Sequence, residues 1–95
     1  MCKLNVYRKE IDKIDKELVG LFEKRLEVVT KVANYKKENN LPVYHEDREK
    51  VVINNVEENI VNKEYLDEAI KFFEYIMKIS KSFQIQNNSE DNSEK

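Results

Sequence analysis

Apolar residues recur along the first forty positions with the spacing of a helix. Leu4, Tyr7, Ile11, Ile14, Leu18, Leu21, Val28, Val32 and Tyr35 follow alternating steps of three and four, or a doubled step, which places them on one helical stripe. One position of the series is charged: where a leucine is expected the chain has Arg25. The pattern predicts one helix from about Leu4 to about Asn39. Asn39-Asn40-Leu41-Pro42 ends it, because asparagine tolerates a left-handed cap and Pro42 pushes Leu41 out of helical geometry. Gly20 inside the helix costs up to about 1 kcal/mol against alanine, little over so long an element. After a short connection, Val43 to Glu46, a second helix is expected near Asp47 or Arg48, carrying Val51, Val52, Val56 and Ile60. Asn62-Lys63 breaks it. A third helix is expected from about Glu64, carrying Leu66, Ala69, Ile70, Phe73, Ile76, Met77, Ser80 and Phe83. Beyond Gln86 no apolar residue follows, so residues 87–95 are expected to be a disordered polar tail after one domain over 1–86.

Composition narrows this to an all-α fold. The 95 residues suffice for one small domain, and a single glycine and a single proline are too few for a sheet with several tight turns. Narrow apolar stripes bury little core within one chain, so association of helices between chains is expected. The net charge of −2, with both signs interspersed, argues against a nucleic-acid or membrane surface. One cysteine, Cys2, permits no internal disulfide, and no Cys/His cluster suggests a metal. No signal-like segment and no apolar run near the roughly 18 residues of a membrane span occur, and a cytoplasmic setting is expected.

The candidate chemistry begins with Arg25. A buried cation without a partner costs several kcal/mol, and no acidic residue of the stripe lies at matching depth. An anionic ligand resolves this; so does an interfacial arginine that packs its stem and reaches water or a neighbouring carboxylate. Arg8 and Lys36 flank the stripe. Arg8 and Arg25 are 17 positions apart, about 25 Å along a helix, whereas Arg25 and Lys36, 11 apart, are separated by about 16 Å. The second pair can converge on one small ligand. Arg8 can join them only from an antiparallel partner helix, which predicts a dimer with two composite sites.

Ser80 and Gln84 fall at i and i+4 on the apolar face of the third helix, suited to a pocket wall or simply to the place where the helix leaves the core. Asp47 favours a helix start, and Arg48 and Glu49 taken alone read as surface charges. A lone His45 makes neither a triad nor a zinc site. One glycine excludes a glycine-rich phosphate loop. Cations with neutral donors and one possible acid suit a small di-anion, and chemistry by positioning and electrostatics rather than by covalent attack.

These residues resemble a known family, the all-helical chorismate mutases of the AroQ class, over roughly residues 4 to 86. The resemblance rests on Arg8-Lys9-Glu10-Ile11-Asp12-Lys13-Ile14-Asp15, Leu21-Phe22-Glu23-Lys24-Arg25, Val32-Ala33-Asn34-Tyr35-Lys36, Pro42-Val43 leading to Asp47-Arg48-Glu49, and Ile79-Ser80-Lys81-Ser82-Phe83-Gln84, in that order and spacing. It implies an intertwined antiparallel homodimer of three-helix protomers. It implies the Claisen rearrangement of chorismate to prephenate, toward phenylalanine and tyrosine, with no cofactor or metal. By the same resemblance, Arg25 and a second chain's Arg8 hold the two substrate carboxylates. Lys36 and Gln84 donate to the ether oxygen. Arg48 is a further substrate-binding arginine, Glu49 accepts from the ring hydroxyl, and Ser80 lies near a carboxylate. His45 stands where the family often has aspartate, so it is not counted in the site. Two other functions fit the same features: an isochorismate pyruvate-lyase of the same fold, and a helical dimerisation module without catalysis.

Overall fold

The computed structural model describes the backbone of residues 2–42 and 46–93 and the side chains of 2–42 and 47–86. All regular structure among them is helical. Helix α1 spans Lys3–Glu38, 36 residues without a break. At 1.5 Å per residue it is about 54 Å long, which accounts for most of the 59 Å long dimension of the chain. Its end forms where the asparagines predict. Asn40 adopts φ 57°, Leu41 N–H donates to the Lys36 carbonyl at 2.8 Å and Asn40 N–H to that of Lys37 at 3.4 Å. This is a Schellman-type cap that satisfies the last carbonyls of the helix. The Asn39 side-chain amide adds a donor to the Tyr35 carbonyl at 2.8 Å.

Helix α2 spans Glu46–Asn59. Near its end the Lys63 ammonium donates to the Glu57 carbonyl at 2.6 Å, a cation placed at the negative end of the helix dipole. Asn62 is extended, and its side chain accepts from Glu64 N–H at 3.0 Å. That cap opens a single 3₁₀ turn, Lys63–Tyr65, which runs directly into α3, Leu66–Ser93. Helix α3 therefore begins where the Asn62-Lys63 break predicts, through a tighter first turn. It also continues beyond the expected limit at Gln86: residues 87–93, expected to be disordered, extend α3 to Ser93. Once a helix exists, each further residue adds a backbone hydrogen bond without a new nucleus, so a polar stretch can prolong it with no apolar face. His45 lies outside the described residues.

Helix α3 is the element on which both α1 and α2 pack. The strip of α1 that the rest of the chain covers is Phe22, Leu26, Val29, Ala33 and Lys37, with Ala33 buried and the others half-buried. This strip is the flank of the heptad stripe. The stripe itself faces solvent: Leu4, Tyr7, Ile11, Ile14, Leu18, Leu21, Val28, Val32 and Tyr35 are all 41–61% exposed. Arg25 sits at the border of the two faces. Ala33, Val56, Ser80 and Gln84 are the buried residues among those described, and no large side chain is fully buried. A single chain thus has little core of its own. Covering the exposed stripe, at roughly 25 cal/mol per Å² of apolar surface, is the largest stabilisation still open to it.

Gly20 lies on α1 away from that stripe, and a Cβ built on it meets nothing within 4 Å. Gly20→Ala is expected to stabilise the protein by about 0.5–1 kcal/mol through helix propensity alone. Thermal denaturation reads this as a rise in Tm of a few degrees; a fall would place another helix against Gly20.

Candidate active site

A cleft of about 240 Å³ opens between the three helices. Helix α1 contributes Arg25 and Lys36, two of the cations singled out by the helical spacing. Helix α2 contributes Arg48 and Glu49 from its first turn. Helix α3 contributes Ser80, Lys81 and Gln84. Between these polar groups lie Val28, Val29 and Val32 of α1, Val52 of α2 and Met77 of α3. The result is an apolar lining with charged groups set into it, which fixes the orientation of a small polar ligand while excluding water from its apolar side.

Arg25 and Ser80 form the central contact. The Arg25 Nη1 donates to Ser80 Oγ at 2.5 Å, and the Ser80 hydroxyl donates to the Ile76 carbonyl at 2.8 Å, one turn back on α3. Ser80 is 6% exposed. The Arg25 pKa is held below the ordinary arginine value, chiefly by burial and secondarily by the nearby Arg48 guanidinium. Burial likewise lowers the Lys36 pKa below that of an ordinary lysine. Both shifts arise first from burial, which takes a positive charge out of water; Arg25 alone also feels a second cation. An anion bound between them reverses both penalties.

Gln84 is 8% exposed. Its Oε1 is buried and meets no hydrogen-bond donor, a condition that ordinarily costs about 1–3 kcal/mol. A half-turn of the amide exchanges the oxygen for the NH₂ group, so this side chain can offer a ligand either an acceptor or a donor. The cleft has four cations, Arg25, Lys36, Arg48 and Lys81, against one carboxylate, Glu49. Such an excess suits a ligand bearing two negative charges. Among the described residues no cluster of His, Cys, Asp or Glu could hold a metal ion, and no helix is long and apolar enough to cross a membrane.

Six of the seven residues expected at the site therefore meet in one place: Arg25, Lys36, Arg48, Glu49, Ser80 and Gln84. The seventh, Arg8, is exposed on the far half of α1, as the helical distance requires of a residue in the same chain. Lys81 and the valine lining escaped the sequence reading. A lysine beside Ser80 looks like any solvated charge, although its position three residues before Gln84 puts it on the same side of α3. The valines look like ordinary core.

Known proteins resemble this chain in fold and in sequence. A conserved hypothetical protein from Pyrococcus furiosus has a similar structure, with a TM-score of 0.73 and 36% sequence identity over 88% of this chain and 97% of that one. The T-protein of Haemophilus influenzae is 47% identical over 49 residues, which cover 52% of this chain but only 13% of that protein. Residues 7–85 match the family described as chorismate mutase type II. With its all-helical fold and with the match spanning all three helices and the cleft between them, the chain belongs to the chorismate mutase type II family, a family of isomerases.

Proposed function

We propose that this chain converts chorismate to prephenate in a homodimer, each site being completed by Arg8 of a second copy. The observation that carries the reading is the convergence of Arg25, Lys36, Arg48 and Gln84 on one partly apolar cleft. Arg25 and the incoming Arg8 hold the two carboxylates, since a guanidinium presents paired N–H donors that lysine cannot match. Lys36 and the Gln84 NH₂ donate to the ether oxygen, where negative charge develops as the C–O bond breaks. Glu49 accepts from the ring hydroxyl, and Arg48 adds to the positive field. The reaction is unimolecular, so these groups act by holding the compact conformer and by favouring the polarised transition state over the ground state. The dimer is supported by the exposed apolar stripe of α1 and by the distance between Arg8 and Arg25. All of these groups lie within 1–86, which we take as the catalytic unit; 87–95 adds none.

The test is chorismate depletion by the purified protein across pH, with isochorismate in parallel. Prephenate from chorismate is the expected product. Pyruvate from isochorismate without prephenate would overturn the assignment, as would no consumption of chorismate. The pH profile has a predicted shape. Gln84 donates as a neutral amide, so its contribution needs no acidic medium. Lys36 must carry its proton, and its lowered pKa makes kcat/KM fall at alkaline pH before an ordinary lysine would titrate. The bound di-anion raises that pKa, so the alkaline limb of kcat lies higher than that of kcat/KM. Stability changes in the opposite direction. Between the lowered folded value and the ordinary unfolded one, the unfolded chain binds more protons at this group. Its contribution to stability therefore rises with pH as activity falls, which separates the titration from unfolding.

A further inference from the structure

We propose that Lys81 is a positioning residue for Glu49: its ammonium is the counter-charge that lets a carboxylate stand in a cleft suited to a di-anion. This rests on the function proposed above. Beside the cleft lies a second, open groove between α2 and α3, whose walls include Lys50, Ile53, Glu74 and Lys78. Glu49, Met77 and Lys81 line both, so these three side chains form the ridge that separates the cleft from the groove. Glu49 reaches the ridge from α2 and is half-buried; Lys81 reaches it from α3 and is exposed. A carboxylate and an ammonium from two different helices thus share one ridge, with a methionine beside them.

The charges of the cleft give this arrangement a purpose. The substrate brings two negative charges, and Glu49 adds a third. Like charges a few ångström apart weaken binding unless a cation stands by. In the proposed function, Arg25, Lys36 and Arg48 act on the substrate itself. The position of Glu49 in the first turn of α2 favours an anion through the helix dipole, but the dipole does not decide to which side of the ridge the carboxylate turns. Lys50 follows Glu49 directly in sequence, and adjacent positions on a helix do not face each other. Lys78 lies four positions after Glu74 on α3, the spacing of a helical ion pair. Lys81 is the cation of the ridge itself. Its ammonium holds Glu49 at the edge of the cleft, within reach of the ring hydroxyl, and not out among the lysines of the groove.

The first measurement needs no substrate. In the free protein, the side-chain nitrogen resonance of Lys81 is expected to move on Glu49→Gln and to stay in place on Glu74→Gln. Movement on Glu74→Gln alone, or no movement on Glu49→Gln, would overturn the proposal. Chorismate turnover reads the consequence. A contact made equally in the ground and transition states falls on KM. Lys81→Met is expected to raise KM by roughly 5-fold, the upper end for an exposed ion pair, with kcat within about 2-fold of the wild type. Lys81→Arg, which keeps the charge, should hold KM near the wild-type value. Added salt should narrow the gap between the wild type and Lys81→Met, because it screens exposed charges. In a Glu49→Gln background, Lys81→Met is expected to change KM by less than about 2-fold, because its partner is gone. An undiminished rise in that background would mean that Lys81 acts on the substrate directly, and the proposal falls. It falls equally if the loss is confined to kcat or if arginine does not restore KM. If the wild type fails to consume chorismate, the proposed function fails while the Lys81 resonance still decides the pairing with Glu49.

Discussion

Lys36→Ala is expected to lower kcat at least about 100-fold, on the scale of removing one donor to a developing oxyanion, with helix content and molar mass in solution unchanged. The direction follows from where the charge sits. Lys36 is half-buried at the C-terminal end of α1, and burial already disfavours its charged form. A cation in this last turn is favoured by the helix dipole, which does not explain why it lines the cleft. That place is well accounted for by a transition state that carries more negative charge on one oxygen than the ground state does. The loss should therefore fall on kcat more than on KM. Lys36→Met, which keeps the aliphatic stem but not the charge, should lose nearly as much. If Lys36→Met keeps most of the turnover, the lysine serves packing, and the ether oxygen takes its donors from elsewhere in the cleft.

The sequence revealed the helices and the site to different depths, for physical reasons. The limits of α1 were legible to a residue, because Asn39, Asn40 and Pro42 act locally on the backbone and need no tertiary partner. The onset of α3 was legible for the same reason at Asn62, though not its tight first turn. The far end of α3 was not, since beyond Gln86 no apolar spacing marks a packed face and helix propagation depends on the backbone alone. Within the site, Arg25 stood out because it replaces an apolar residue in a regular series. Ser80 and Gln84 stood out as polar groups on an apolar face, and among the described residues they are the two buried polar ones. Lys81 was hidden among other charges. The division of α1 into a covered flank and an exposed stripe was also hidden, because periodicity shows that a helix has an apolar face but not which partner covers it. In the function proposed above, that partner is a second copy of the chain.

Mixing two inactive variants addresses that second copy directly. Arg8→Ala and Arg25→Ala are each expected to lose at least about 100-fold in kcat/KM, since each removes a paired hydrogen-bonded contact to a carboxylate worth several kcal/mol. Refolded together in equal amounts, they should regain about one quarter of wild-type activity per chain. Random pairing of a two-fold dimer makes half of the dimers mixed, and half of the sites in those are whole. The whole site is built on the Arg8→Ala protomer, which keeps its own Arg25 and Lys36 and receives Arg8 from the other. The second site of the same dimer lacks both arginines. Recovery by this route is impossible within one chain, because α1 is a single unbroken helix from Lys3 to Glu38 and holds Arg8 about 25 Å from Arg25. Activity that stays at the mean of the two variants would mean that Arg8 never enters the cleft. The four cations already in the cleft would then have to hold both carboxylates without a second chain, and the exposed stripe of α1 would owe its apolar surface to some other contact.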